Sequence, residues 1–234
     1  MIIKGRERLH MVQAKRLGPG SLVRLVDGLG KLLNARIKKI TPDMVLLERH
    51  GTVYSIDDLV PVRLILSVIK GERMDMAVAK LSEMGIKEIQ PVITQRTVMR
   101  MNVNRLRKKH ERWQALSLHS LKQCRGVRAT KIMETTTLDS VLPCCQGFST
   151  RIFLYEEDAD NGQALSSLIN GDRNAFPLAI VVGPEGGFSP EERALFTRHG
   201  FKPASLGPRI LRSETAAIYG ASVACEAFRN QERP

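Results

Sequence analysis

The chain has 234 residues, 43% of them hydrophobic, and carries 36 Lys and Arg against 24 Asp and Glu, a formal net charge of +12. That length suits one large domain or two small ones, and no apolar run reaches membrane-helix or signal-peptide length, so a cytoplasmic protein with no membrane partner is expected. The positive balance favours a polyanion such as nucleic acid, while an aromatic share of 5% argues against a platform on which bases stack.

Residues 1–65 read as β structure. Short apolar runs such as Ser21–Val26 and Met44–Leu47 are divided by the turn signals LGPG, DGLGK, TPD and RHG, closely spaced as in a small barrel. Basic residues, among them Arg16, Arg24 and Lys31, are scattered along this part. From Leu64 the rhythm changes: LILSVIK is a buried-strand run, and Met74, Ala77, Val78, Leu81 and Met84 follow at helical spacing, with Gly85 placed to end the helix. Further strands are expected at IKEIQPVIT, RIFLYEE, FPLAIVVG and KPASLG. Helices are expected at 105–124, around 161–169, at 190–199 and at 214–229. Strands alternating with helices predict a mostly parallel sheet covered on both faces, hence a β domain over 1–65 and an α/β domain over 66–234. Cys124, Cys144, Cys145 and Cys225 show neither a C-x-x-C pair nor a histidine at finger spacing, so no metal site and no disulfide framework is expected.

Two strand-to-helix junctions carry the chemistry. The first, Val181–Glu192 (VVGPEGGFSPEE), is neither a G-x-x-x-x-G-K-[ST] phosphate loop nor a G-x-G-x-x-G fingerprint. Ser189 reads as an N-cap, Pro190 as the first helical residue and Glu192 as the partner in a capping box. Acid at that helix start disfavours a phosphate there; the turn suits a neutral or cationic ligand. The second junction, LGPRILRSETAA from Leu206, holds Ile210 and Leu211 in a loop. They wall a ligand pocket or plug the core beneath it, and spacing alone leaves both open. The closing helix is rich in small residues, which permits close packing on its own sheet or against another subunit.

Together the two junctions resemble the paired signatures of the SPOUT methyltransferases, and more closely those of the ribosomal RNA small subunit methyltransferase E family. HMVQAKRLGPG with VDGLGK, then KGERMDMAVAKLSEMGIKEIQPVITQRT, ERWQ and LKQC, extend the resemblance over nearly the whole chain. It implies a PUA-like barrel ahead of an α/β domain with a trefoil knot, S-adenosylmethionine as cofactor, methylation of uridine N3 in small-subunit ribosomal RNA, and a homodimer. Carried over by residue, Gly183, Glu185, Gly186 and Gly187 of the first turn would bind the cofactor, with Leu206, Gly207, Ile210, Leu211, Thr215 and Ala216 of the second, and Leu154 and Glu156 of the strand upstream. The chain departs from the family after Gln123: a small residue, Gly and Arg are usual there, and here Cys124, Arg125 and Gly126 follow.

Uridine N3 must lose a proton on or before attack, and a cation can hold the negative charge that develops on the ring oxygens. Arg212 and Arg125 are the candidates. Glu214 is a possible base or orienter of arginine, or a helix N-terminal carboxylate favoured by the dipole alone. The basic run that includes Arg96, Arg105 and Arg107, with Gln123 and the barrel's Arg16, Arg24 and Lys31, would grip RNA phosphates. Two alternatives stay open: a SPOUT enzyme for another nucleotide in ribosomal or transfer RNA, and a non-catalytic RNA-binding assembly factor.

Overall fold

The computed structural model describes residues 1–97, 103–155, 163–169 and 173–230, in two compact units, Met1–Asp58 and Leu59–Pro234.

In the first unit β1 (Ile2–Lys4) leads into a short helix α1 (Gly5–Leu9) that runs on through a wide turn, His10–Ala14. β2 (Leu22–Val26), β3 (Lys31–Ile40) and β4 (Met44–Ser55) follow. The strands pair antiparallel in the order β1-β4-β3-β2. β1 and β2 are the two edges and do not pair with each other, so the sheet is half a barrel where the turn spacing suggested a small barrel. The DGLGK signal makes the β2–β3 turn: the Asp27 carboxylate accepts from Leu29 N at 2.7 Å and Lys31 N at 2.9 Å. Those backbone donors hold its carboxyl below the usual range. Met11, Ala35, Ile37, Val45 and Leu47 form the small core. The helix over 5–9 was not expected; it has no side-chain cap and buries none of its own residues, so neither signal that marks a helix was present.

The second unit is an α/β layer structure. Its elements are β5 (Val60–Ser67), α2 (Glu72–Glu83), β6 (Ile86–Ile93), α3 (Val103–Cys124), β7 (Lys131–Ile132), β8 (Thr136–Thr137), α4 (Leu138–Val141), β9 (Thr150–Leu154), α5 (Leu165–Ile169), β10 (Leu178–Val182), α6 (Pro190–Arg198), β11 (Lys202–Ala204) and α7 (Ser213–Asn230). The sheet order is β11-β9-β10-β5-β6-β7, every pair parallel, with β8 also against β6. The units part after Asp58, not after residue 65, because β5 pairs along both β6 and β10 and so belongs to this sheet.

Alternation in the central strands sorts two cores. Leu178, Ile180 and Val182 of β10 join Ile152, Leu154, Leu64 and Leu66 on one face, with α2 and α7 against them. Ala179 and Val181 join Phe153 and Ile65 on the other, with Phe188 and Phe196. A sheet buried on both faces explains why these strands read as continuous apolar runs. α3 is fastened to α2 through fully buried Trp113, whose indole Nε1 donates to Asp75 Oδ1 at 3.0 Å. Arg112 Nε donates to Asp75 Oδ2 at 2.7 Å. Because all pairs are parallel, the loops after β9, β10 and β11 leave from the same edge, where ligands of open α/β sheets bind.

Candidate functional site

The turn after β10 is tight and well supported. Gly187 N donates to Pro184 O at 3.0 Å, and Gly187 has φ +66°, which a side chain would strain. A Cβ on Gly183 would meet the Phe188 ring at 3.2 Å, so that glycine lets the ring close beneath the turn, where it stacks edge-on against Phe196 at 4.7 Å. The expected capping box is present: Glu192 N donates to Ser189 Oγ at 3.2 Å and Ser189 N to Glu192 Oε2 at 2.9 Å. The other carboxylate oxygen, Oε1, accepts from Gln95 N at 2.8 Å, in the loop after β6. Neighbouring Glu191 has its carboxyl held below the usual range, first by the Ser189 side chain, with its own backbone amide, Arg96 and Arg193 adding to the effect. Acid at this helix start disfavours a phosphate there.

The turn after β11 is looser. Gly207 N donates to Ser205 Oγ at 3.1 Å, and Gly207 sits at φ +113° with nothing near the place of a Cβ. Ile210 is 82% exposed. Ile210 therefore plugs no core, while Leu211 beside it is half-buried.

The two turns and the end of β9 enclose a cavity of about 230 Å³. Of the residues assigned to a cofactor, Leu154, Gly183, Glu185, Gly187, Leu206, Ile210, Leu211 and Ala216 line it. Gly186 does not: its carbonyl accepts from Arg96 Nη1 at 2.8 Å. Gly207 and exposed Thr215 do not line it either, and Glu156 lies outside the described residues. Glu185 is not free, since its Oε1 pairs with Arg73 Nη2 at 2.8 Å.

Arg212 lines the cavity and is exposed. Glu214, in the first turn of α7, is buried, forms no ion pair with Arg212, and its Oε2 meets no hydrogen-bond partner. Arg125 follows the last residue of α3 at φ +59°, exposed and outside the cavity lining. It occupies a left-handed position that favours glycine, as the inverted Arg125–Gly126 order would require. Arg105, Arg107 and Gln123 are exposed on α3, and Arg16, Arg24 and Lys31 are exposed in the first unit. The small residues of α7 pack on their own sheet: Ala217, Gly220, Ala221 and Ala224 are buried, and a Cβ on Gly220 would meet Leu154 Cδ1 at 3.3 Å.

Among the lining residues that reading the sequence did not assign are Tyr155, Arg209 and Ser213, and it missed the partner Arg73. The first three stand beside or inside the quoted motifs and could have been found there. Tyr155 is held by Arg193, which donates to its hydroxyl and lies over its ring at 4.9 Å. Arg73 carries no local signal of its contact. Among the described residues no helix is long and apolar enough to cross a membrane, and no group of His, Cys, Asp and Glu gathers as for a metal ion.

Apolar walls, close backbone approach and an absent phosphate cradle fit an adenine nucleoside without phosphates. Comparison with known proteins agrees in class. Residues 57–225 match the RNA methyltransferase domain. The ribosomal RNA small subunit methyltransferase E of Bacillus subtilis is 26% identical over 223 residues, 94% of this chain and 87% of that one. Its counterpart from Mesomycoplasma hyopneumoniae is 32% identical over 158 residues, 68% of this chain and 66% of that one. A solved structure of a methyltransferase from Legionella pneumophila with bound S-adenosylmethionine superposes with a TM-score of 0.80 at 28% identity, covering 97% of this chain and 91% of that one.

Proposed function

The chain belongs to the RNA methyltransferase domain family, and on that premise we propose that it methylates N3 of a uridine in small-subunit ribosomal RNA, with S-adenosylmethionine as methyl donor. The observation that carries the cofactor reading is Ile210, an apolar side chain 82% exposed on the lining of a cavity. A ligand with an apolar face gives that residue its reason. Leu154, Leu206 and Leu211 would wall the adenine with it. Gly183 and Gly187 would let the backbone come close to the methionine part. When bound, the cofactor supplies an electrophilic methyl group on a sulfonium.

The protein's own contribution is positioning and charge. Arg212, exposed on the cavity wall, would hold the negative charge that develops on the uracil oxygens as N3 loses its proton. Glu214, two residues on, is a buried carboxylate outside the cavity lining, and we assign it to acid–base work or to setting the start of α7. The exposed cations of α3, with those of the first unit, would grip RNA phosphates, so binding should weaken steeply with salt. The reading also includes a PUA-like role for the first unit, a trefoil knot in the second, a homodimer and a cytoplasmic setting.

One observation favours a second reading, transfer to a different RNA nucleotide. Arg125 stands at the left-handed end of α3, so its side chain leaves the helix in a different direction from the arginine that follows glycine in the related pattern. The deciding experiment is transfer of labelled methyl to small ribosomal subunits that lack the modification, followed by nucleoside identification. N3-methyluridine formed by the wild type and lost with Arg212→Ala supports the proposal. Another methylated nucleoside supports the second reading. Tight cofactor binding without transfer to subunits or naked RNA supports the non-catalytic assembly factor.

A further inference from the structure

We propose that Arg73 and Arg96 are positioning residues that set the shape of the first cofactor turn, and through it the affinity for S-adenosylmethionine, without touching the ligand themselves. The inference rests on the cofactor reading above for the identity of that ligand. Neither arginine lines the cavity, and both act on its wall. Arg73 Nη2 holds the Glu185 carboxylate at 2.8 Å. Arg96 Nη1 donates to the carbonyl of the next residue, Gly186, at 2.8 Å. The two contacts fall on the two central residues of the tight turn closed by Gly187 N on Pro184 O, one on a side chain and one on the backbone.

Their origin in the fold explains the convergence. β5 and β6 are the strands that follow β10 across the sheet. Arg73 lies in the first turn of α2, after β5, and Arg96 in the loop after β6. Arg96 is itself fixed in place. The preceding residue, Gln95, donates its amide to buried Glu192. Thr94 N donates to Thr97 Oγ1 at 2.9 Å, closing that loop. A Cβ on Gly186 would lie 3.4 Å from Arg96 Cβ, so the arginine stem runs along the turn and leaves little room for it to shift. Glu192 thus joins the cap of α6, the loop after β6 and the glycine turn into one connected support. Arg96, read from sequence as a phosphate contact, is exposed and places its Nη1 on the turn.

An arginine that neutralises Glu185 also makes a prediction opposite to that of simple attraction. If Glu185 served chiefly to attract a cationic ligand, removing Arg73 would strengthen binding. As a brace, its removal weakens it.

The test uses the full-length protein without and with S-adenosylmethionine. Amide hydrogen exchange at Gly187 should quicken in ligand-free Arg73→Ala and Arg96→Ala, with the thermal midpoint little changed. Calorimetry should show S-adenosylmethionine bound about fivefold more weakly by each variant, the scale expected of partly exposed charged contacts. Arg73→Lys should recover part of the loss, and Arg73→Ala should have no further effect in a Glu185→Ala background. Unchanged exchange at Gly187 in both variants would overturn the proposal. So would tighter cofactor binding by Arg73→Ala, or an Arg96→Ala protein that loses RNA affinity but keeps cofactor affinity. A wild type that binds no S-adenosylmethionine would sink the cofactor reading, and the exchange result alone would then decide whether the brace exists.

Discussion

The turn after β10 is held from outside itself, by Arg73 on Glu185, Arg96 on Gly186 and the capping box of α6. The turn after β11 is anchored at its first residue, where Ser205 N donates to Gln163 O at 3.1 Å and Leu165 N to Ser205 O at 3.0 Å; beyond that it shows the local contact of Gly207 N on Ser205 Oγ and a glycine at φ +113°. Beneath the first lies the aromatic cluster of Phe188, Phe196 and Phe153; the second carries Ile210 and Arg212 outward into solvent. A pocket made this way has one fixed wall and one wall whose apolar face is finished only by a ligand. Substitutions in the first should therefore register in stability, and those in the second in binding.

The largest expected effect breaks the fixed wall. Phe188→Ala removes a buried ring and should cost about 3–5 kcal/mol of unfolding free energy, read from denaturant titration. Glu192→Ala comes next. It removes the Glu192 half of the α6 capping box and leaves the Ser189 and Gln95 amides without their carboxylate acceptor, for a loss of roughly 2–3 kcal/mol. Ile210→Ala reverses the pattern: stability should stay within about 0.5 kcal/mol of wild type, while S-adenosylmethionine binds about tenfold more weakly by calorimetry. A large stability loss there would show that Ile210 is packed after all, and would erase the contrast between the walls.

The smallest effect concerns pH. The Glu191 carboxyl is held below its ordinary value of 4.5, first by the Ser189 side chain. Its contribution to stability is therefore fully present above that value and is lost as pH falls through the lower, folded-state value. Glu191→Gln should flatten the fall of the thermal midpoint on acidification in that window by bringing the neutral-pH value slightly down toward the acid one, a small effect because the side chain is fully exposed.

Residues whose partners lie a few positions away were legible. The capping box of α6 needs only Ser189 and Glu192, three apart, and it is where the motif placed it. The C-terminal glycine of α2 needs only Gly85, which has φ +79°. The buried strands of the parallel sheet announced themselves as apolar runs. α1 was missed because neither a cap nor an apolar stripe marks it, and the half-barrel was read as a small barrel because turn spacing reports strands without reporting which edges meet.

What the sequence by itself determined is thus the alternation of strands and helices, the position of both glycine turns and the exclusion of a phosphate cradle at α6. These rest on local backbone preferences and on charges within one helical turn. Only the tertiary structure decided that the small face of α7 packs on its own sheet, that Ile210 stays uncovered, and that Arg73 and Arg96 converge on adjacent residues of one turn. The reason is the strand order: β5 and β6 follow β10 across the sheet although they precede it by most of the domain in sequence, and hydrogen bonding between neighbours in space leaves no period or spacing along the chain.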